Sequence, residues 1–260
     1  MILSCCAWAF SGSDVRILED VARAGFNWID LRPFAFSGRG GRQELESAGL
    51  DVSCVGVSTV LPEGLSLDSA DSTRAADALS RVSKGVQYAA EIGAATAYLV
   101  PTLDSDKVAL KRFASAASEL AERALALGLK LCIEHAPGTA LPTVVQTLDF
   151  IDSVGHANLF LLMDTGHLQM CDEDPESSIE RAGERLGYVH LDDNDGVGDL
   201  HLALLDGVMT VESLSRTFTI LQRVGYAGAV SVELSANLPD PQAAVSRSRR
   251  IILDIEPSLA

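Results

Sequence analysis

The sequence predicts an α/β protein, a single-domain (β/α)8 TIM barrel over residues 1–260. Eight short apolar runs alternate with longer helical segments along the 260 residues, the count and spacing of such a barrel. The runs are apolar throughout rather than alternating, as in parallel strands covered on both faces. The junctions repeat: a helix closes on glycine and a strand follows within one or two residues, in AGFNWIDL, AGLDVSCV, IGAATAYLV, LGLKLCIE and VGYAGAVSVE.

The strands are expected at Ile2–Trp8, Trp28–Leu31, Val52–Val57, Ala97–Pro101, Leu129–Glu134, Leu159–Asp164, Tyr188–Asp192 and Ala229–Glu233. Helices are expected at Ser13–Ala24, Ala70–Ile92, Ser105–Leu127, Thr143–Val154 and Val211–Val224. Each is followed by Gly25, Gly93, Gly128, Gly155 or Gly225, because glycine takes the left-handed closing conformation without a Cβ clash. An open doubly wound sheet is the alternative. It is weakened because CCAWAFSGSD replaces a glycine-rich phosphate loop after the first strand.

The charge narrows the function. With 20 Lys and Arg against 36 Asp and Glu, the net charge is −16, which repels phosphate backbones and anionic membranes. No apolar run reaches the roughly 18 residues of a membrane span. MILSCCAWAF is short and lacks the basic flank of a signal peptide. Five cysteines, Cys5, Cys6, Cys54, Cys132 and Cys171, form no CxxC pair, which fits buried thiols in a reducing cytoplasm.

In such a barrel the active site lies at the C-terminal strand ends. There the sequence places Glu134 (LCIEHAPG), Asp164 with His167 (LLMDTGHL), His190 with Asp192 and Asp193 (YVHLDDND), and Glu233 (VSVELSA). Converging carboxylates repel one another, and no Lys or Arg stands at these ends, so a divalent cation is the natural counter-charge. Three carboxylates and an imidazole favour Mn2+, Mg2+ or Co2+, with Zn2+ still open. Any one of these acids alone is more often a helix cap or surface charge; four residues on successive strands read as a site. His167 is read as a substrate contact, His135 as a support pointing off the barrel axis, and His156 as inert surface at the opposite end. Both readings of His201, inside or outside the site, are open.

These motifs together resemble the xylose-isomerase-like TIM-barrel superfamily, which holds sugar isomerases and epimerases and the endonuclease IV-type enzymes. The resemblance runs from the first strand to VELSANLPDP and rests on the strand-5 Glu, DTGH, H-x-D-D, D-x-H-L and the strand-8 Glu. It implies that Glu134, Asp164, His190 and Glu233 hold one divalent ion, Mn2+ foremost, and that Glu134 and Glu233 are also the catalytic acid/base pair. Many ketose 3-epimerases of this group place Arg six residues after the strand-7 His; here that residue is Gly196. The nuclease branch uses three zinc ions; Asp199 and His201 match part of that set, but DLRP, VGVSTVLP and LVPTLD supply no further His.

No Lys or Arg occurs in residues 193–209 or 234–241, where barrels usually bind phosphate. An unphosphorylated polyol or keto-sugar is therefore expected. Arg32, Arg39 and Arg42 follow strand 2; Arg32 binds an anionic substrate group or pairs with the acidic surface, the latter slightly favoured. Trp8, Phe10, Phe34 and Phe36 either wall the sugar or plug the mouth. The expected function is a metal-dependent sugar isomerase or epimerase working through an enediolate. The alternative is a dehydratase of a keto-inositol or dehydroshikimate-like substrate, with a metal-free binding protein disfavoured by the intact ligand set. The expected partner is a small carbohydrate, with no nucleic acid or membrane and with homo-oligomerisation open.

Overall fold

A computed structural model describes residues 1–38, 41–101 and 106–260. Eight parallel strands close into a barrel in sequence order: β1 (Ile2–Cys6), β2 (Trp28–Leu31), β3 (Asp51–Gly56), β4 (Thr96–Leu99), β5 (Lys130–Glu134), β6 (Leu159–Asp164), β7 (Leu186–Leu191) and β8 (Ala229–Val232). β8 pairs with β1 through Ile2↔Ala229 to Cys5↔Val232, which leaves no open edge. Among the described residues no helix is long and apolar enough to cross a membrane.

The expected helices form as α1 (Asp14–Arg23), α3 (Ser72–Ile92), α4 (Lys107–Ala126), α5 (Val144–Val154) and α8 (Val211–Arg223). Ser105, the expected first residue of α4, lies outside the described residues; the cap is Asp106, whose side chain accepts from Val108 N–H and Ala109 N–H. Gly93 and Gly155 close α3 and α5 with φ of 92° and 69°. Four further helices carry weaker periodic signals: α2 (Gly41–Ala48), α6 (Thr165–Met170), α7 (Pro175–Ala182) and α9 (Pro241–Ile255). The last two start on proline behind a capping Asp174 or Asp240, an arrangement that suits a missing N–H at a helix start.

Strand parity separates two apolar clusters. Leu159, Leu161 and Met163 of β6 face the helices and join the main core, whereas Leu162 packs inside the barrel with Cys54, Tyr98, Cys132 and Tyr188. Because side chains alternate, Asp164 continues the inward row at the top of β6. β1 ends at Cys6, earlier than the expected Trp8, because Ala7–Ala9 forms a single 3-10 turn that carries Trp8 over the barrel mouth. All five cysteines are free thiols.

Candidate active site at the C-terminal rim

Glu134 and Asp164 end β5 and β6, His190 is the penultimate residue of β7, and Glu233 directly follows β8. All four are buried, and their ligand atoms lie within 4.8 Å of one another. His190 is the hub. Its Nδ1 lies 2.6 Å from Glu233 Oε2, 3.5 Å from Glu134 Oε1 and 3.9 Å from Asp164 Oδ2. The sequence-derived ligand set is therefore brought together as a unit.

The opposite nitrogen, Nε2, stands 3.4 Å from Asp30 Oδ2. Asp30, on β2, is wholly buried, and its Oδ1 accepts from Ser4 Oγ (2.9 Å), Tyr188 Oη (2.6 Å) and Ser53 Oγ. A carboxylate fixed in this way orients the ring so that Nδ1 faces the other ligands, the usual device behind a metal-binding histidine. Burial opposes a charged His190, but Glu233, Cys6 and Asp30 outweigh it and hold its pKa well above the ordinary value.

Asp164 is held on one side only. Its Oδ1 accepts from the His167 backbone N–H at 2.8 Å, and its own N–H donates to His135 Nε2 at 3.1 Å. His135 is a support, as expected: burial and then His167 push its pKa down to about 3, so it stays neutral and its Nε2 can accept. Its carbonyl receives His167 Nδ1–H at 2.8 Å and fixes that ring.

Three buried atoms, Asp164 Oδ2, His190 Nδ1 and Glu233 Oε2, face one another without a hydrogen bond. Burying such atoms is costly unless something shares them. A divalent cation fits this set of three carboxylates and one imidazole.

The two glutamates differ in environment. Burial and the Glu233 charge raise Glu134, against the pull of the nearby His190. Burial also opposes ionisation of Glu233, but the adjacent His190 charge overcomes it and holds Glu233 down to about 2. Trp8 Nε1–H donates to Glu233 Oε1 at 2.7 Å and assists. Two carboxyls with environments that push them apart suit acid and base roles.

A cavity of about 630 Å3 opens over the cluster and is lined by all six residues expected to hold substrate or exchange protons: Trp8, Arg32, Glu134, His167, His201 and Glu233. His201 therefore reaches the site. Its Nε2 lies 3.2 Å from Asp199 Oδ1, and His167 Nε2 lies 3.5 Å from the same oxygen. Asp192 Oδ2 is 3.0 Å from His201 Nδ1. Hydrogen bonds to Asp192 and Asp199 outweigh burial and push His201 up to about 12, while the two imidazoles hold Asp199 below the usual carboxylate range. The loop is pinned: His201 has φ 46°, its N–H donates to Asn194 Oδ1, and its carbonyl accepts from Ser235 N–H. That left-handed backbone is uncommon for a non-glycine residue and is held here by its neighbours.

Some expectations change. Phe10 and Phe36 are buried in the main core, and Phe34 packs on Tyr88, so of the four aromatics only Trp8 lines the cavity. Arg32 makes no ion pair among the described residues, contrary to the favoured surface-pairing reading; its guanidinium stands 5.8 Å from the Trp8 ring centroid. Arg42 pairs with Glu46, away from the site, and Arg39 lies outside the described residues. His156 is half-buried beside Glu122 rather than free surface. A neighbouring cavity of about 660 Å3 shares Thr59 and Val100, but the titratable cluster faces the first one.

Asp30 and Gly166 escaped the sequence reading. Asp30 is an acid inside an apolar strand, the same signal that marks Asp164, but in the half of the barrel that carries no other rim acid. Gly166 lies where a Cβ would strike the Asp192 carboxylate and the Asn194 amide, and its N–H donates to Asp192 Oδ1 at 2.7 Å.

The profile described as xylose isomerase-like TIM barrel matches residues 18–254. The chain is 28% identical to an L-ribulose 3-epimerase of Mesorhizobium japonicum over 235 residues, covering 84% of this chain and 74% of that protein. It is 28% identical to an inosose dehydratase of Yersinia enterocolitica over 161 residues, covering 55% of this chain and 54% of that one. The crystal structure of a D-allulose 3-epimerase from Methylomonas sp. shares the fold, with a TM-score of 0.82 over 98% of both chains at 19% identity. The closed barrel and the span matched by the profile lead to one conclusion: this chain belongs to the xylose isomerase-like TIM-barrel family.

Proposed function

We propose that the protein is a divalent-metal-dependent sugar epimerase or isomerase acting on a keto-sugar through an enediolate. The observation that supports this most is the meeting of Glu134, Asp164 and Glu233 at one His190 nitrogen, with three buried ligand atoms that lack a hydrogen bond. Glu134, Asp164, His190 and Glu233 would hold the ion, Mn2+ foremost, with Mg2+, Co2+ and Zn2+ as alternatives. The bound cation would polarise the carbonyl and its neighbouring hydroxyl and so lower the cost of the enediolate.

The chain's own groups do the rest. Glu233, kept ionised by His190 and Trp8, is the base that removes the α-proton. Glu134, whose pKa is raised, is the acid that returns a proton at the other face of the carbon; the reverse reaction exchanges the roles. His167 and His201, charged through Asp164, Asp192 and Asp199, would donate to substrate oxygens through the Nε2–H groups that they otherwise direct at Asp199. Asp30 fixes the His190 ring, and Trp8 covers Glu233 from water.

The dehydratase relative favours a second reading, in which the same base acts and an imidazolium protonates a departing β-hydroxyl. A panel of ketoses and inososes with the Mn2+-loaded protein in deuterated buffer, followed by NMR and mass, separates the two. Deuterium gained without loss of water supports the epimerase. Loss of water supports the dehydratase, and no change in any substrate overturns both.

A further inference from the structure

We propose that the substrate carries a carboxylate, which Arg32 binds at the barrel mouth while the reacting carbons face Glu134 and Glu233. The inference takes the chemistry at the rim from the epimerase reading and adds the class of substrate, a sugar acid.

Arg32 is the one Lys or Arg among the described residues that line the cavity. Several arginines elsewhere find carboxylates, as Arg16 and Arg23 do with Asp20, Arg123 with Glu119 and Arg247 with Asp206, while Arg112 and Arg185 donate to backbone carbonyls and Arg249 lies over Phe26. Arg32 does not pair among the described residues, although it stands on a cavity lined by Glu134, Asp199 and Glu233. The imidazoles of the cavity are already matched: His167 lies near Asp164 and Asp199, and His201 near Asp192 and Asp199. The guanidinium is therefore the cationic group of the cavity left without a counter-charge.

The side chain is exposed and meets one aromatic ring. The Trp8 ring lies 5.8 Å from its central carbon, and Trp8 is itself tied to Glu233 by a 2.7 Å hydrogen bond. An aromatic face attracts a guanidinium while leaving its N–H edge free, and that planar edge matches the two oxygens of a carboxylate. Arg32 thus stands one indole away from the catalytic carboxylate, a separation suited to a short sugar chain with its reacting carbons at one end and an acid at the other. Thr59, Ser235 and Asn237 line the same cavity and add neutral hydrogen-bonding groups. A phosphate dianion fits less well. Residues 193–209 and 234–241 contain no Lys or Arg, and three acids line the cavity.

The test compares two probes with the Mn2+-loaded protein: a 2-ketohexose, and the same ketose oxidised to a carboxylate at C6. Binding is measured by calorimetry and exchange by NMR in deuterated buffer. The wild type is expected to favour the acid on the order of tenfold or more, the worth of a charged hydrogen-bonding contact. Arg32→Gln should bring the ratio of acid to ketose close to one, and Arg32→Lys should give an intermediate ratio. Arg42→Gln, an exposed arginine away from the cavity, should leave it unchanged. A wild type without preference, or an Arg32→Gln ratio equal to wild type, overturns the proposal. Acid bound through Arg32 without exchange or dehydration would uphold this subsite and defeat the epimerase reading. Equal exchange of both probes would do the reverse.

Discussion

Strands β5–β8 and strands β1–β4 reach the same rim with different side chains. The second half supplies Glu134, Asp164, His190 and Glu233, the groups proposed to hold the metal and move protons. The first half supplies Asp30 beneath His190, the Trp8 indole on Glu233, the Tyr98 ring edge-on to His190 at 5.5 Å, and Arg32 at the mouth. The proposed chemistry is thus concentrated in consecutive strands, while the groups proposed to orient and select come from across the barrel. A closed barrel makes this possible, because β1 and β8 are hydrogen-bonded neighbours and inward side chains from distant strands meet on the axis.

The largest effect should come from the second half. Glu134→Gln and Glu233→Gln keep the shape and remove the proton acceptor, so each should lower kcat on the order of a thousandfold, measured on the best ketose of the panel. His156→Ala, at the other end of the barrel, should leave kcat unchanged. If a Gln variant keeps full turnover, the proton-moving assignment to these strands fails.

The first half should act through position. Asp30→Asn keeps the size of the side chain but turns an acceptor into an amide, and should weaken Mn2+ binding by about ten- to a hundredfold, read by calorimetry. The loss of affinity is the decisive readout, since a packing defect alone would lower the melting temperature and leave Mn2+ affinity intact. Gly166→Ala should displace Asp192 and with it His201, raising KM more than it weakens Mn2+ binding.

A smaller effect follows from pH. Burial and then Asp192 raise Asp164 from 3.8 to about 7 in the metal-free protein. Folding therefore favours its protonated form. That contribution to stability is full below about pH 4 and is lost as pH rises through about 7. Metal binding must displace this proton and also the one held on His190, so Mn2+ affinity should rise with pH throughout pH 5 to 8, by about tenfold per unit for each proton displaced. An affinity that is flat from pH 5 to 8 would contradict this origin of the site's charge.

The same division explains what the sequence made legible. Apolar strand runs and closing glycines revealed the barrel because both follow from local rules, the covered parallel strand and the left-handed cap. The four rim residues were legible because each places an acid or imidazole at or beside the end of its own strand. Asp30 was not, because its role depends on lying beneath His190, far away in sequence. Arg32 was visible, but whether a carboxylate stood near it is a question of tertiary placement. Phe10 and Phe36 looked like Trp8 in sequence; only the 3-10 turn after β1 carries Trp8 to the mouth while the other two enter the core.

The central claim is that Glu134 and Glu233 together move one substrate proton. Solvent deuterium entering a ketose beside its carbonyl, followed by NMR with Mn2+-loaded wild type and both Gln variants, tests it most directly. The account predicts exchange in the wild type and none above background in either variant. Exchange at the wild-type rate in Glu134→Gln or Glu233→Gln would contradict it.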